Sequence, residues 1–275
     1  MSFADDLALA HELADIADAI ALPRFMAQDL QVETKPDDSP VTDADRATER
    51  AIKARLADAR PHDALIGEEY GNSPGSGSGS GSRSGSGSDN GSGSRTWIID
   101  PIDGTANFMR GVPVWASLIA LAVDGKPVVS VVSAPALGRR WWAAPETGAH
   151  TREIDGTERA IRVSNIVDAA HASISYNNLR LWDASGKLPQ LLDFSRTLWR
   201  TRAYGDFWSY MLLAEGSVDI VAEHDLKIYD IAALVPIVKQ AGGKLTALDG
   251  PLTVETSSVL ATNGKLHELA TNAFA

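Results

Sequence analysis

The sequence predicts an α+β protein, and three features carry that prediction. Near the N-terminus Leu9, Leu13, Ile16 and Ile20 fall at the spacing of one apolar face of a helix. Apolar runs of strand length recur through the first half, and Asp124-Gly125 joins two of them as a hairpin. A third short run, Trp97-Ile98-Ile99, reads as a buried strand and stops at Asp100-Pro101-Ile102-Asp103-Gly104.

In chain order, the first helix closes near Pro23. Thr34-Lys35-Pro36-Asp37-Asp38-Ser39-Pro40 is mostly loop. A second helix follows from about Asp43 to Ala59, and Thr42 with Asp45 has the form of a capping box at its start. Ala64-Leu65-Ile66 is a short strand that ends in Gly67-Glu68-Glu69. Residues 73–94 are almost all Gly and Ser, the composition of a flexible coil, and a long surface loop costs a fold little. Because acids stand on both sides of it, it reads as an elongated loop on the rim of a site. Pro101 lacks an N–H and Gly104 tolerates unusual backbone angles, so the chain is expected to turn there and bring Asp100 and Asp103 together. Val114 to Val123 and Val128 to Ser133 form the hairpin, and Arg140 to Ala144 is a further strand. Residues 145–200 mix both kinds of element. Arg202-Ala203-Tyr204-Gly205-Asp206 leads into a helix ending near Glu215-Gly216, and Val218 to Ala222 is a strand. Asp230 opens a helix through Gln240, kinked by Pro236 and stopped at Gly242-Gly243. The length suits one domain over 1–275, with an N-terminal half of about 1–145 and a C-terminal half of about 146–275.

Composition narrows the function. A formal charge of −11 argues against a nucleic-acid partner, which needs a basic face. No cysteine is present, which excludes disulfides, thiol nucleophiles and cysteine–zinc sites and fits a cytoplasmic protein. No apolar run is long enough to cross a membrane, and the N-terminus lacks a signal-peptide pattern. His11, His62, His150, His171, His224 and His267 are scattered, with no pair at zinc-ligand spacing. Trp115, Trp141 and Trp142 read as core.

Four acids stand at element edges: Glu68, Asp100, Asp103 and Asp230. Two carboxylates held close need a cation between them, or one must take a proton. Oxygen-only ligands suit a hard ion such as Mg²⁺, and two or three such ions would leave room for a phosphate. Taken singly, each acid also reads as a plain cap or turn residue. Gly104 and Thr105 offer backbone N–H groups to a phosphate, and the Thr105 hydroxyl could position a water. Asp45 is open to two readings, as the capping-box acid and as a partner of that water.

The set Gly67-Glu68-Glu69, Asp100-Pro101-Ile102-Asp103-Gly104-Thr105 and Tyr229-Asp230-Ile231-Ala232-Ala233 with Ala241-Gly242-Gly243 resembles the inositol-monophosphatase-like family of Mg²⁺-dependent phosphomonoesterases. The resemblance implies a layered αβαβα sandwich and a homodimer. It makes Glu68, Asp100, Asp103 and Asp230 side-chain metal ligands, Ile102 a ligand through its carbonyl, and Asp45 with Thr105 the pair that activates the water. Glu69 matches a residue beside the site. Within the family the chain is most similar to the actinobacterial branch that acts on histidinol phosphate. Lys35-Pro36-Asp37, Pro40 to Asp45, Arg110 to Ser117, Ser133 to Leu137 with Arg140-Trp141-Trp142, and Arg202 to Phe207 carry that likeness. The small phosphorylated substrate is then expected to meet Glu68, Gly104, Thr105, Arg202, Asp206 and Glu223. Asp206 and Glu223 are the candidates for an ammonium group. Glu223 would also serve an inositol or sugar phosphate, the alternative substrates, and Asp206 reads equally well as a helix cap after Gly205.

Overall fold

The computed structural model describes residues 2–36, 38–75 and 93–275. Nearly all of the Gly/Ser stretch expected to be a flexible loop therefore lies outside the described residues. Helix α1 (Ala4–Ala21) and helix α2 (Asp43–Ala59) flank a small hairpin of β1 (Val32–Thr34) and β2 (Pro40–Thr42). Next come β3 (Ala64–Gly67), β4 (Gly71–Ser73) and the long β5 (Arg95–Asp103), then the short helix α3 (Thr105–Met109). A meander of β6 (Ala116–Val123), β7 (Lys126–Ala134), β8 (Arg139–Ala144), β9 (Gly148–Arg152) and β10 (Glu158–Ala160) completes a sheet of order β10-β9-β8-β7-β6-β5-β3-β4. This sheet runs on to Ala160, so its end lies beyond residue 145, where the sequence divides the halves.

The second half holds β11 (Ser173–Tyr176), α4 (Leu179–Ala184), α5 (Leu188–Ser195), β12 (Arg200–Arg202), α6 (Asp206–Ala214) and β13 (Ile220–His224). It closes with α7 (Ile228–Ala232), α8 (Leu234–Gln240), β14 (Lys244–Ala247), β15 (Ser258–Thr262) and α9 (His267–Phe274). Its sheet has order β12-β11-β13-β15-β14.

Three apolar cores fix the layers. Leu9, Leu13 and Ile52 from α1 and α2 meet Ile99, Ile119 and Val131 on one face of the large sheet. The opposite face, with Ile98, Leu118 and Trp141, packs on α6, α7 and α8 through Tyr210, Ile231 and Ile237, and these helices also cover the small sheet through Val259. Trp182, Phe194 and Phe274 of α4, α5 and α9 seal its far side. The result is the expected order helix, sheet, helix, sheet, helix. Trp115 and Trp141 are fully buried and Trp142 nearly so, as core residues should be. Among the described residues no helix is long and apolar enough to cross a membrane.

Two local expectations change. The helix expected from Asp230 to Gln240 does not run unbroken. It is divided at Ala233, because Pro236 has no N–H to donate and its ring crowds the carbonyl one turn earlier. Nor does the chain turn at Pro101: β5 continues through Asp103, and the turn comes at Gly104, whose φ is +86°.

Candidate active site

What brings Asp100 and Asp103 together is a bulge in a strand. Asp100 pairs with Leu118 and Asp103 with Ala116, so three steps along β5 oppose two along β6. In a regular strand residues three apart face opposite ways. The extra residue cancels that reversal and turns both acids to one side. Pro101 is tolerated there because a bulge leaves a residue out of the ladder. The Ile102 N–H donates to Asp100 Oδ1 at 3.0 Å, and the Ser117 hydroxyl donates to the Pro101 carbonyl at 2.7 Å, which pins the bulge.

Asp230 reaches the same place from α7. It is not the residue before that helix but the third within it, accepting from the Lys227 N–H at 2.7 Å. Asp100, Asp103 and Asp230 each put a carboxylate oxygen within 4.8 Å of the others, and Asp45, Glu68 and Glu69 form a second such group. Both groups are entirely of carboxylates, which is the donor set of a hard divalent cation.

Electrostatics supports the same reading. Burial, then the charges of Glu68, Asp103 and Asp230, push Asp100 far above the ordinary carboxylate range. Burial and the charges of Asp206 and Asp230 do the same to Asp103. Glu68 rises to about 7 through burial, against the pull of Lys35, and Asp230 to about 6, chiefly through burial. Acids held this way need positive charge, and one is already present. Lys35 Nζ lies 2.7 Å from Glu68 Oε1 and 2.6 Å from Glu69 Oε1. Burial works against the Lys35 charge, but these two acids outweigh it and hold its pKa above the ordinary value.

Asp45 fills both of its readings. It completes the capping box with Thr42, accepting from the Thr42 N–H at 2.8 Å and from its hydroxyl at 2.5 Å. Its other oxygen, Oδ1, lies 3.3 Å from the Thr105 hydroxyl, which is also 3.0 Å from the Ile102 carbonyl. Burial raises Asp45 to about 7 despite the Thr42 hydrogen bonds. Gly104 precedes α3, so the first N–H groups of that helix lie beside the bulge.

Asp103, Asp206, Glu223 and Asp230 line one cavity of about 590 Å³, with Tyr176 and Tyr204 among its walls. Asp206 does not cap its helix: Asn107 Nδ2 donates to its Oδ2 at 2.7 Å. The N–H of Phe207, the second residue of α6, donates to Asp103 at 2.7 Å. Burial lifts Asp206 to about 6, with the Asn107 bond opposing. Glu223 is fully buried, accepts from the Tyr210 hydroxyl at 3.0 Å, and is raised by burial and Asp206 to about 8. Arg202 is not brought to this cavity. It is exposed on edge strand β12, donates to the Thr201 carbonyl at 2.7 Å, and borders a separate small cleft with Trp199.

Three supporting residues escaped the sequence reading. Lys35 stood inside a stretch read as loop and left no periodic signal. Asn107 is polar in a five-residue helix too short to show a face. Glu49 did leave a signal, being an acid four residues from Asp45 on the apolar face of α2. It is fully buried, and it accepts from the Glu69 N–H at 2.7 Å and the Tyr70 N–H at 3.0 Å, fixing the turn that carries Glu68. Gly67 leaves room for this carboxylate, since a Cβ there would stand 1.9 Å from Glu49 Oε1 and force it to shift.

Comparison with known proteins agrees with this geometry. The model of the inositol monophosphatase family matches residues 4–275. A histidinol-phosphatase of Streptomyces coelicolor is 49% identical over 270 residues, covering 97% of this chain and 95% of that protein. A histidinol-phosphatase of Mycobacterium tuberculosis is 49% identical over 265 residues, covering 96% and 95%. Among solved structures, an inositol monophosphatase from Zymomonas mobilis superposes with a TM-score of 0.81 at 32% identity, covering 100% of this chain and 99% of that one. The bulged acid strand, the layered fold and a match over nearly every residue together place this chain in the inositol monophosphatase family.

Proposed function

We propose that this protein hydrolyses L-histidinol phosphate to L-histidinol and inorganic phosphate with Mg²⁺ as its cofactor. One observation carries the reading: Asp206 and Glu223 line the same cavity as Asp103 and Asp230. Acids suited to an ammonium thus stand beside acids suited to a metal. The named function of the two relatives at 49% identity supports the substrate.

Asp100, Asp103, Asp230 and Glu68 would hold two or three Mg²⁺ ions by side chain, and Ile102 would contribute its carbonyl. The bound metal supplies charge stabilisation for the phosphoryl group and the leaving alkoxide, and lowers the pKa of water. Asp45 accepts the proton of the attacking water, and the Thr105 hydroxyl, held at 3.3 Å from Asp45, orients that water. The backbone N–H groups at Gly104 and Thr105 receive phosphate oxygens. Asp206 and Glu223 face the substrate's ammonium. No covalent enzyme intermediate is needed, since the attack is by water. Assembly as a homodimer belongs to the same proposal and is tested by sedimentation equilibrium.

The deciding experiment compares histidinol phosphate with inositol 1-phosphate under equal Mg²⁺, with and without chelator. Turnover of histidinol phosphate that disappears with chelator is expected. A strong preference for inositol phosphate overturns the substrate, and chelator-resistant turnover overturns the metal.

A further inference from the structure

We infer that Asn107 is a positioning residue for substrate selection, holding Asp206 at a set distance from the phosphate end of the site. The inference rests on the proposal that Asp206 meets the substrate's ammonium.

Asn107 lies two residues after Thr105, in the same short helix, α3. Its Nδ2 donates both to Asp206 Oδ2 at 2.7 Å and to the Val114 carbonyl at 2.8 Å. A carboxamide nitrogen has two hydrogens, and here both are committed to acceptors. The amide therefore cannot turn over without placing its own oxygen against a carboxylate. The backbone at Asp206 is left-handed, with φ +49° directly after Gly205 at +78°, a conformation Asp enters more readily than most residues and one that directs its side chain toward Asn107. The side chain is not held by its own helix, whose first N–H groups it does not cap. The backbone around the clamp is equally tight. A Cβ on residue 104 would come 2.9 Å from the Val114 carbonyl and 3.4 Å from Asp206 Oδ2. The residues that would receive phosphate and the residue that fixes Asp206 thus belong to one rigid segment, Gly104 to Asn107.

The chemical consequence is a ruler. With Oδ2 tied to Asn107, Asp206 offers its remaining carboxylate capacity to the cavity it lines. A phosphomonoester whose ammonium sits on the carbon next to the ester carbon, as in histidinol phosphate, spans that fixed interval. An ester without the amine gains nothing from it.

The test uses two substrates, L-histidinol phosphate and 3-(imidazol-4-yl)propyl phosphate, which is the same ester without its amine. kcat and KM are measured for the wild type, Asp206→Asn, Asn107→Ala and Asn107→Ser. Asn107→Ala is expected to lower the preference for the amine-bearing ester about tenfold, mostly through KM, the scale of one charge-assisted hydrogen bond. Asn107→Ser, which keeps one donor, should recover part of it, and it carries the comparison alone if the alanine variant does not fold. If Asp206→Asn keeps the full wild-type preference, the underlying assignment of Asp206 fails and the inference falls with it. If Asp206→Asn loses the preference while both Asn107 variants keep it, or depress both substrates equally, Asp206 stands and the role of Asn107 is overturned.

Discussion

The metal end and the substrate end of this site are both built from buried acids, yet the chain satisfies them in opposite ways. At the substrate end each acid has a neutral donor of its own: Asn107 for Asp206 and the Tyr210 hydroxyl for Glu223. At the metal end Asp100 and Asp103 accept backbone N–H groups, but Asp100 is crowded by the charges of Glu68, Asp103 and Asp230, and Asp103 by those of Asp206 and Asp230. The first arrangement gives each acid one fixed neutral partner, and leaves Glu223 Oε1 buried without a hydrogen bond. The second is a concentration of like charge that cations or protons must relieve, so its stability and its chemistry both depend on what binds there.

The sharpest way to break this contrast is Asp103→Asn. The amide oxygen can still accept from Phe207 N–H, so helix α6 keeps its partner while the metal loses a charged ligand. We expect kcat to fall by about 10³-fold or more, the scale of several kcal/mol of transition-state stabilisation, with an unchanged far-ultraviolet circular dichroism spectrum. Near-normal activity would falsify the metal role. Next in size is Thr105→Ala, which removes the hydroxyl between Asp45 and the Ile102 carbonyl. A loss of about 10²-fold in kcat with little change in KM is expected, because the hydroxyl acts on the water and not on the bound alcohol. A change confined to KM would move Thr105 from the water to the substrate. At the opposite end, Glu223→Gln should leave the Tyr210 bond an acceptor but remove the carboxyl that would ionise against the substrate's ammonium. Its expected signature is the reverse: KM for histidinol phosphate up by about tenfold and kcat within about threefold. Equal effects of Glu223→Gln on kcat and KM would erase the distinction between the two ends.

The two ends also differ in how far the sequence reveals them. Asp100, Asp103 and Thr105 lie within one short stretch, and Glu68 ends the strand that pairs beside it, so local pattern was enough to pick them out. Even there the local pattern misleads, because Pro101 and Gly104 signal a turn and a bulge has no such mark; only the pairing with β6 reveals the extra residue. The helix break at Ala233 was likewise half visible, since Pro236 announces a disturbance but not whether the helix bends or divides. The substrate end is assembled across long separations. Asn107 to Asp206 spans 99 residues, and no periodicity or spacing encodes that meeting. Arg202 shows the converse, since it sits beside Asp206 in sequence yet emerges on the exposed edge of the small sheet. Sequence neighbours share a segment, but the turn at Gly205 decides which of them enters the cavity.

The smallest expected effect tests the contrast through stability. In the metal-free protein Asp45 and Glu68 sit at about 7, Asp230 and Asp206 at about 6 and Glu223 at about 8, all raised chiefly by burial. In the unfolded chain the same groups titrate near about 4. Between these limits the folded state binds more protons than the unfolded state, so stability declines as pH rises. The contribution is greatest below about pH 4 and is lost by about pH 8, where the folded acids must also ionise. Differential scanning calorimetry with chelator should therefore give a Tm at least about 5 °C lower at pH 8 than at pH 5. Saturating Mg²⁺ should remove most of that slope, because it binds only the ionised, folded cluster. The share that persists in Mg²⁺ belongs to Asp206 and Glu223, and Glu223→Gln should reduce it without altering the metal-dependent share. A slope that Mg²⁺ leaves untouched would mean that the metal end takes up no cation.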